Sequence, residues 1–85
     1  MVKEGELVAI FHSIHRVMKA EKLLKQASKK VLLIPVPRQL TSDCGLAIRF
    51  AQELRAEIEE VLSTSNLQIQ ELYLRREKDF VRLDT

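Results

Sequence analysis

From Glu6 to Phe11 the chain is apolar at nearly every position, with no alternation of wet and dry residues. A run of that length without alternation is the signature of a central strand buried on both faces. Ser13 follows as a helix N-cap. From Ile14 the period becomes helical. Val17, Ala20, Leu23, Leu24 and Ala27 share one stripe, and Lys19, Lys22, Lys25 and Lys29 lie opposite. The helix is predicted to end near Ser28, Lys29 and Lys30. Val31 to Val36 is a second strand, and Pro35 and Pro37 place it at a sheet edge because they cannot donate to a ladder.

Pro37 to Gly45 is predicted as a loop, with Thr41, Ser42 and Asp43 as its turn-forming residues. Leu46, Ile48 and Phe50 then alternate with Ala47, Arg49 and Ala51, which marks a third strand. A second helix is predicted over Gln52 to Leu62. Its dry stripe is Leu54, Ile58, Val61 and Leu62, and Glu53, Glu57 and Glu60 form its wet face. After a turn at Ser63 to Asn66, Leu72 and Leu74 alternate with Glu71, Tyr73 and Arg75 as a fourth strand. The order β-α-β-β-α-β predicts an α+β, ferredoxin-like fold, a four-stranded antiparallel sheet with both helices on one face. One domain is expected over residues 1–85, with its core at about 6–75. The polar tail 76–85, relieved by Phe80, Val81 and Leu83, is expected to cover the open sheet face or to join a homodimer contact.

In that topology the β1–α1 turn and the β2–β3 loop share one end of the sheet. His12, Ser13 and His15 are thus predicted to approach Arg38, Ser42 and Cys44, with Ser63 to Asn66 nearby. Composition narrows what this cluster can do. A chain of 85 residues buries only about 60–65% of its unfolded surface, too little for a deep catalytic cavity beside a separate cofactor domain. Its single cysteine excludes an internal disulfide and an internal dithiol cycle, and points to a reducing cytoplasm. No stretch reaches the roughly 18 apolar residues of a membrane span. The opening Met1 to Glu6 carries acids and no apolar run, unlike a secretory signal.

Cys44 precedes Gly45, where backbone or a ligand can approach closely. Its thiol becomes a nucleophile only as thiolate, which a helix N-terminus, Arg38 or a histidine would stabilise. The competing reading is a buried structural thiol in a non-catalytic interaction or assembly module. His12 and His15 would be a general base or a metal pair with Cys44, but two His and one Cys do not complete a zinc site, and no metal is expected. No phosphate loop, nucleophile elbow or paired-cysteine motif is present.

The near-neutral charge of +2 conceals an uneven distribution. Residues 15–38 carry seven basic residues and one acidic, and residues 52–70 carry one basic and four acidic. The basic helix face suits an acidic partner or a polyanion, or is a solvated face. Exposed Met18 beside Lys22 and Lys25 would suit a docking surface. With one Tyr and three Phe, nucleic acid ranks last among the partners.

Four segments together resemble a known family. They are Phe11 to His15, Lys19 to Leu24, Pro35 to Arg38, and Thr41 to Arg49 with its Ser42-Asp43-Cys44-Gly45 core. The chain is similar, over about residues 7–75, to the small selenium/sulfur carrier-like domain family of bacteria. The resemblance implies a thiol carrier rather than a turnover enzyme, with a persulfide or selenopersulfide on Cys44 and no cofactor. It implies as partners a cysteine desulfurase or other sulfur- and selenium-transfer proteins. Arg38, Ser42 and the Gly45 N–H are then candidate donors to the terminal anion, with His12 as proton carrier and His15 in support. The family pattern leads one to expect a glycine between the first helix and second strand, where Ser28, Lys29 and Lys30 stand.

Overall fold

A computed structural model describes residues 2–40 and 45–83. Strand β1 (Glu6–Ile10) lies at the middle of the sheet, paired with β3 (Leu46–Ala51) on one side and β4 (Glu71–Arg76) on the other. Leu7, Val8, Ala9 and Ile10 are all buried, as unbroken apolarity requires of a strand covered on both faces. Strand β2 (Val31–Pro35) pairs only with β3 and is an edge, where its proline costs no ladder bond.

Among the described residues the sheet has five strands in the order β2-β3-β1-β4-β5, with every neighbouring pair antiparallel. This corrects the four-stranded, ferredoxin-like βαββαβ arrangement expected from the sequence. The residues read as a polar tail form β5 (Asp79–Leu83), hydrogen-bonded along β4. The physical reason is alternation too diluted by charge to stand out. Val81 and Leu83 fall opposite Leu74 and Leu72 on the helix side, and Phe80 falls opposite Arg75 on the other. The two-residue turn Glu77-Lys78 holds Glu77 at φ 55, a left-handed position that hairpins usually give to Asn or Gly.

Helices α1 (Ile14–Gln26) and α2 (Arg55–Ser63) pack on the same sheet face. Val17, Ala20 and Leu24 from α1 and Ile58 and Leu62 from α2 meet Leu7, Ala9, Phe11, Ile48, Phe50 and Leu72 in one core. A 3-10 turn, Gln52–Leu54, leads into α2, so the regular helix starts later than its periodicity predicts. Ala27 is exposed at the end of α1 instead of completing its dry stripe.

Both helices close in the same way. Lys29 N–H bonds the Leu24 carbonyl and Ser28 N–H bonds the Lys25 carbonyl, with Ser28 at φ 60. Leu67 N–H bonds the Leu62 carbonyl and Asn66 N–H bonds the Ser63 carbonyl, with Asn66 at φ 55. These are Schellman closures. Ser28 therefore takes the left-handed conformation for which a glycine was expected.

The opposite sheet face carries a second, smaller apolar cluster of Val8, Ile10, Ile34 and Ala47. Val2, Val36, Leu40, Tyr73 and Phe80 pack against it. The basic and acidic helices partly answer each other, through Lys29 Nζ to Glu57 Oε1 at 2.6 Å. Among the described residues no helix is long and apolar enough to cross a membrane.

Leu72 is fully buried and Val81 is 44% exposed, although both lie on the helix side of the last hairpin. Leu72→Ala is therefore expected to cost about 2–5 kcal/mol. Val81→Ala is expected to cost under about 1 kcal/mol. Urea denaturation of the two variants checks the difference.

Candidate functional site

The sheet register decides which loops meet. Ile10 pairs with Ala47 and with Glu71, and Pro35 pairs with Leu46. The β1–α1 turn, both ends of the β2–β3 loop and the start of β4 therefore lie at one end of the sheet. Gln70 N–H bonds the Ile10 carbonyl at 3.0 Å and ties the β4 approach to that end.

Ser42 and Cys44 lie outside the described residues. The residues that frame them are described. Val36 N–H bonds the Gly45 carbonyl at 3.0 Å, which closes the base of the loop. Gly45 has φ 74, and a Cβ there would meet no atom within 4 Å. The glycine is needed for its backbone conformation rather than for space. On the other side of the loop, Leu40 N–H bonds the Pro37 carbonyl in a turn that leaves Arg38 exposed.

The two histidines part company. Ser13 caps α1 by accepting from Arg16 N–H at 3.3 Å, and His15, just inside the helix, faces a cleft shared with Ser63 and Asn66. His12 instead turns onto the other face of the sheet. Its backbone is left-handed, φ 56, an uncommon conformation for a non-glycine residue. Its Nε2 meets Glu71 Oε2. The second Glu71 oxygen accepts from the Tyr73 hydroxyl at 2.5 Å and has Arg82 at 3.7 Å.

An ionised carboxylate only accepts, so Nε2 carries the hydrogen and Nδ1 is the nitrogen left to exchange a proton in the neutral ring. Glu71 thus orients the imidazole as a carboxylate orients the histidine of a catalytic pair. The Tyr73 hydroxyl bond holds the Glu71 carboxyl below the usual carboxylate range. Burial opposes this, and the bond and charge of His12 and the charge of Arg82 add to it. The same bond to Glu71, with burial, pushes the Tyr73 phenol up.

Sequence reading missed Glu71, Tyr73 and Arg82. The i, i+2 spacing of Glu71 and Tyr73 on β4 looked like the wet side of an ordinary strand, the Ile10–Glu71 pairing brings them to His12, and the β4–β5 pairing sets Arg82 beside Tyr73. Among the described residues no group of three or more His, Cys, Asp or Glu side chains could hold a metal ion.

The model of the protein family described as Putative Se/S carrier protein-like matches residues 6–74. No curated protein and no solved structure matches the chain.

Tyr73 is the single tyrosine and there is no tryptophan, so ultraviolet titration reads it alone. Its phenol is expected to ionise above the ordinary value of about 10 and to move back toward it in Glu71→Gln. Glu71 binds its proton less readily folded than unfolded. Its contribution to stability is therefore present above the unfolded carboxylate range and lost as pH falls through the lowered folded value. Denaturation midpoints measured across the acid range should show a shallower dependence in Glu71→Gln than in the parent.

Proposed function

Because the chain belongs to the Se/S carrier protein-like family, we propose that it carries sulfur or selenium as a persulfide or selenopersulfide on Cys44. The observation that carries this reading is the family match itself, which spans Cys44 and Gly45 together with the strands on either side. Cys44 is joined to Gly45, whose carbonyl is held by Val36 N–H, just past β2, at the end of the sheet where His12 and Glu71 meet.

The transfer conserves electrons. The Cys44 thiolate attacks the outer sulfur of a donor persulfide, a new S–S bond forms, the donor S–S bond breaks, and the donor thiolate leaves. Delivery is the reverse process toward an acceptor nucleophile, with the Cys44 thiolate as leaving group. Arg38, Ser42 and the Gly45 N–H stabilise the terminal anion in this reading. His12, oriented by Glu71, takes up or returns the proton through Nδ1, with His15 in support. The donor is a cysteine desulfurase or another sulfur- or selenium-transfer protein. The carrier works in the reducing cytoplasm, where a lone thiol stays free, and it is not itself a turnover enzyme.

The test is intact mass after incubation with a cysteine desulfurase and cysteine, and separately with a selenium-charged donor. A gain of one sulfur or selenium atom that disappears in Cys44→Ser is the expected result. His12→Ala should load more slowly yet reach the same adduct. Absence of any adduct with every donor, under conditions that preserve persulfides, rejects the proposal.

A further inference from the structure

Between the first two turns of α1 and the connection from α2 to β4 lies an open cleft of about 800 Å³. That is the size of a small-molecule site, roughly 300–1,000 Å³. One wall is basic. His15, Arg16 and Lys19 line it, and none of the three is paired with a carboxylate among the described residues. Among the described residues the one acid on the lining, Glu59, is already engaged by Arg55 at 3.2 Å. The facing wall is uncharged, with the hydroxyls of Ser63 and Ser65 and the amides of Asn66, Gln68 and Gln70 interleaved with the apolar Leu62, Leu67 and Ile69.

The arrangement is built by the fold and not by one helix face. The wall opposite α1 is held by the Schellman closure at Asn66 and by the Gln70 N–H bond to Ile10. Lys22 and Lys25, also on α1, lie outside the cleft. No aromatic side chain lines it, so a nucleobase would have no stacking surface. A concave site with uncommitted cations on one side and amides and hydroxyls on the other matches a compact oxyanion. Charge-assisted bonds would come from Arg16 and Lys19, and neutral donors would complete the shell.

We infer that this cleft is a binding site for a small polar oxyanion, a molecule bearing carboxylate or phosphate groups, held by Arg16 and Lys19 against Asn66, Gln68 and Gln70. The site lies at the same end of the sheet as His12 and Gly45, but its occupancy does not require Cys44 to carry anything.

Titration of the nitrogen-15 labelled protein with inorganic phosphate, and in a second arm with citrate, tests this. Sodium chloride at matched ionic strength is the reference. Saturable shifts are expected at the side-chain amides of Asn66, Gln68 and Gln70 and at the backbone of residues 15–19. Response to phosphate alone or to citrate alone assigns the oxyanion class. The Arg16→Gln/Lys19→Gln variant should bind about tenfold or more weakly, the loss of at least one charge-assisted hydrogen bond. Lys22→Gln/Lys25→Gln should bind as the parent does. Both altered pairs are exposed, and unchanged amide positions elsewhere confirm the fold of each variant. The inference is overturned if neither anion gives saturable shifts, if chloride reproduces them, if they spread over all basic residues, or if the Arg16/Lys19 variant binds as the parent does. A Cys44→Ser protein should bind unchanged, which separates this site from the carrier proposal.

Discussion

Burial of β1 on both faces is the constraint from which the rest of the architecture follows. Leu7, Ala9 and Phe11 demand a layer on one side, and α1 and α2 supply it. Val8 and Ile10 demand cover on the other, where neither α1 nor α2 packs. That cover is assembled from pieces, namely Val2 before the first strand, Val36 and Leu40 after β2, Tyr73 on β4 and Phe80 on β5. The fifth strand is thus more than an extension of the edge. It delivers Phe80 to the thinly covered face, with the Arg75 guanidinium 5.0 Å above its ring.

The same constraint places the polar chemistry. A strand with both faces dry can place polar groups only at its ends, and His12 is the first polar residue after the run. Its left-handed backbone breaks the strand, and its ring meets the carboxylate of Glu71 at the start of β4. Left-handed geometry in a non-glycine residue costs energy, on the order of 1–3 kcal/mol, and persists where surrounding contacts hold it. The Glu71 contact and the capped start of α1 at Ser13 are two such contacts.

What the sequence disclosed follows from signal strength. The unbroken run of β1, the α1 stripe at Val17, Ala20 and Leu24, and the alternation in β3 and β4 were legible because each repeats at its own period. The fifth strand was not. Its turn is Glu77-Lys78 and the charged Asp79 and Arg82 interrupt its apolar residues, so neither the turn nor the pattern announced a hairpin. Of the candidate site, His12, His15, Arg38 and Gly45 could be nominated from residue type. The division of the histidines between two faces could not, because it depends on one residue's φ and on a pairing of residues sixty-one apart, Ile10 and Glu71. The opposed charge runs also read as two free faces, whereas Lys29 and Glu57 join them.

The polar network around Glu71 divides between residues inside the family match and one outside it. His12, Glu71 and Tyr73 all lie within the matched residues 6–74, and Arg82 lies on β5 beyond them. Arg82 is 62% exposed and 3.7 Å from the carboxylate, an arrangement worth well under about 1 kcal/mol in water. The Tyr73 hydroxyl, at 2.5 Å to the less exposed Glu71, is a charge-assisted bond of about 1.5–3 kcal/mol. The orientation of His12 therefore rests on Glu71 and Tyr73, both carried by β4, and not on the added strand. The fifth strand contributes cover to the second apolar cluster, and the His12–Glu71–Tyr73 contacts at the end of β1 are made by residues outside it.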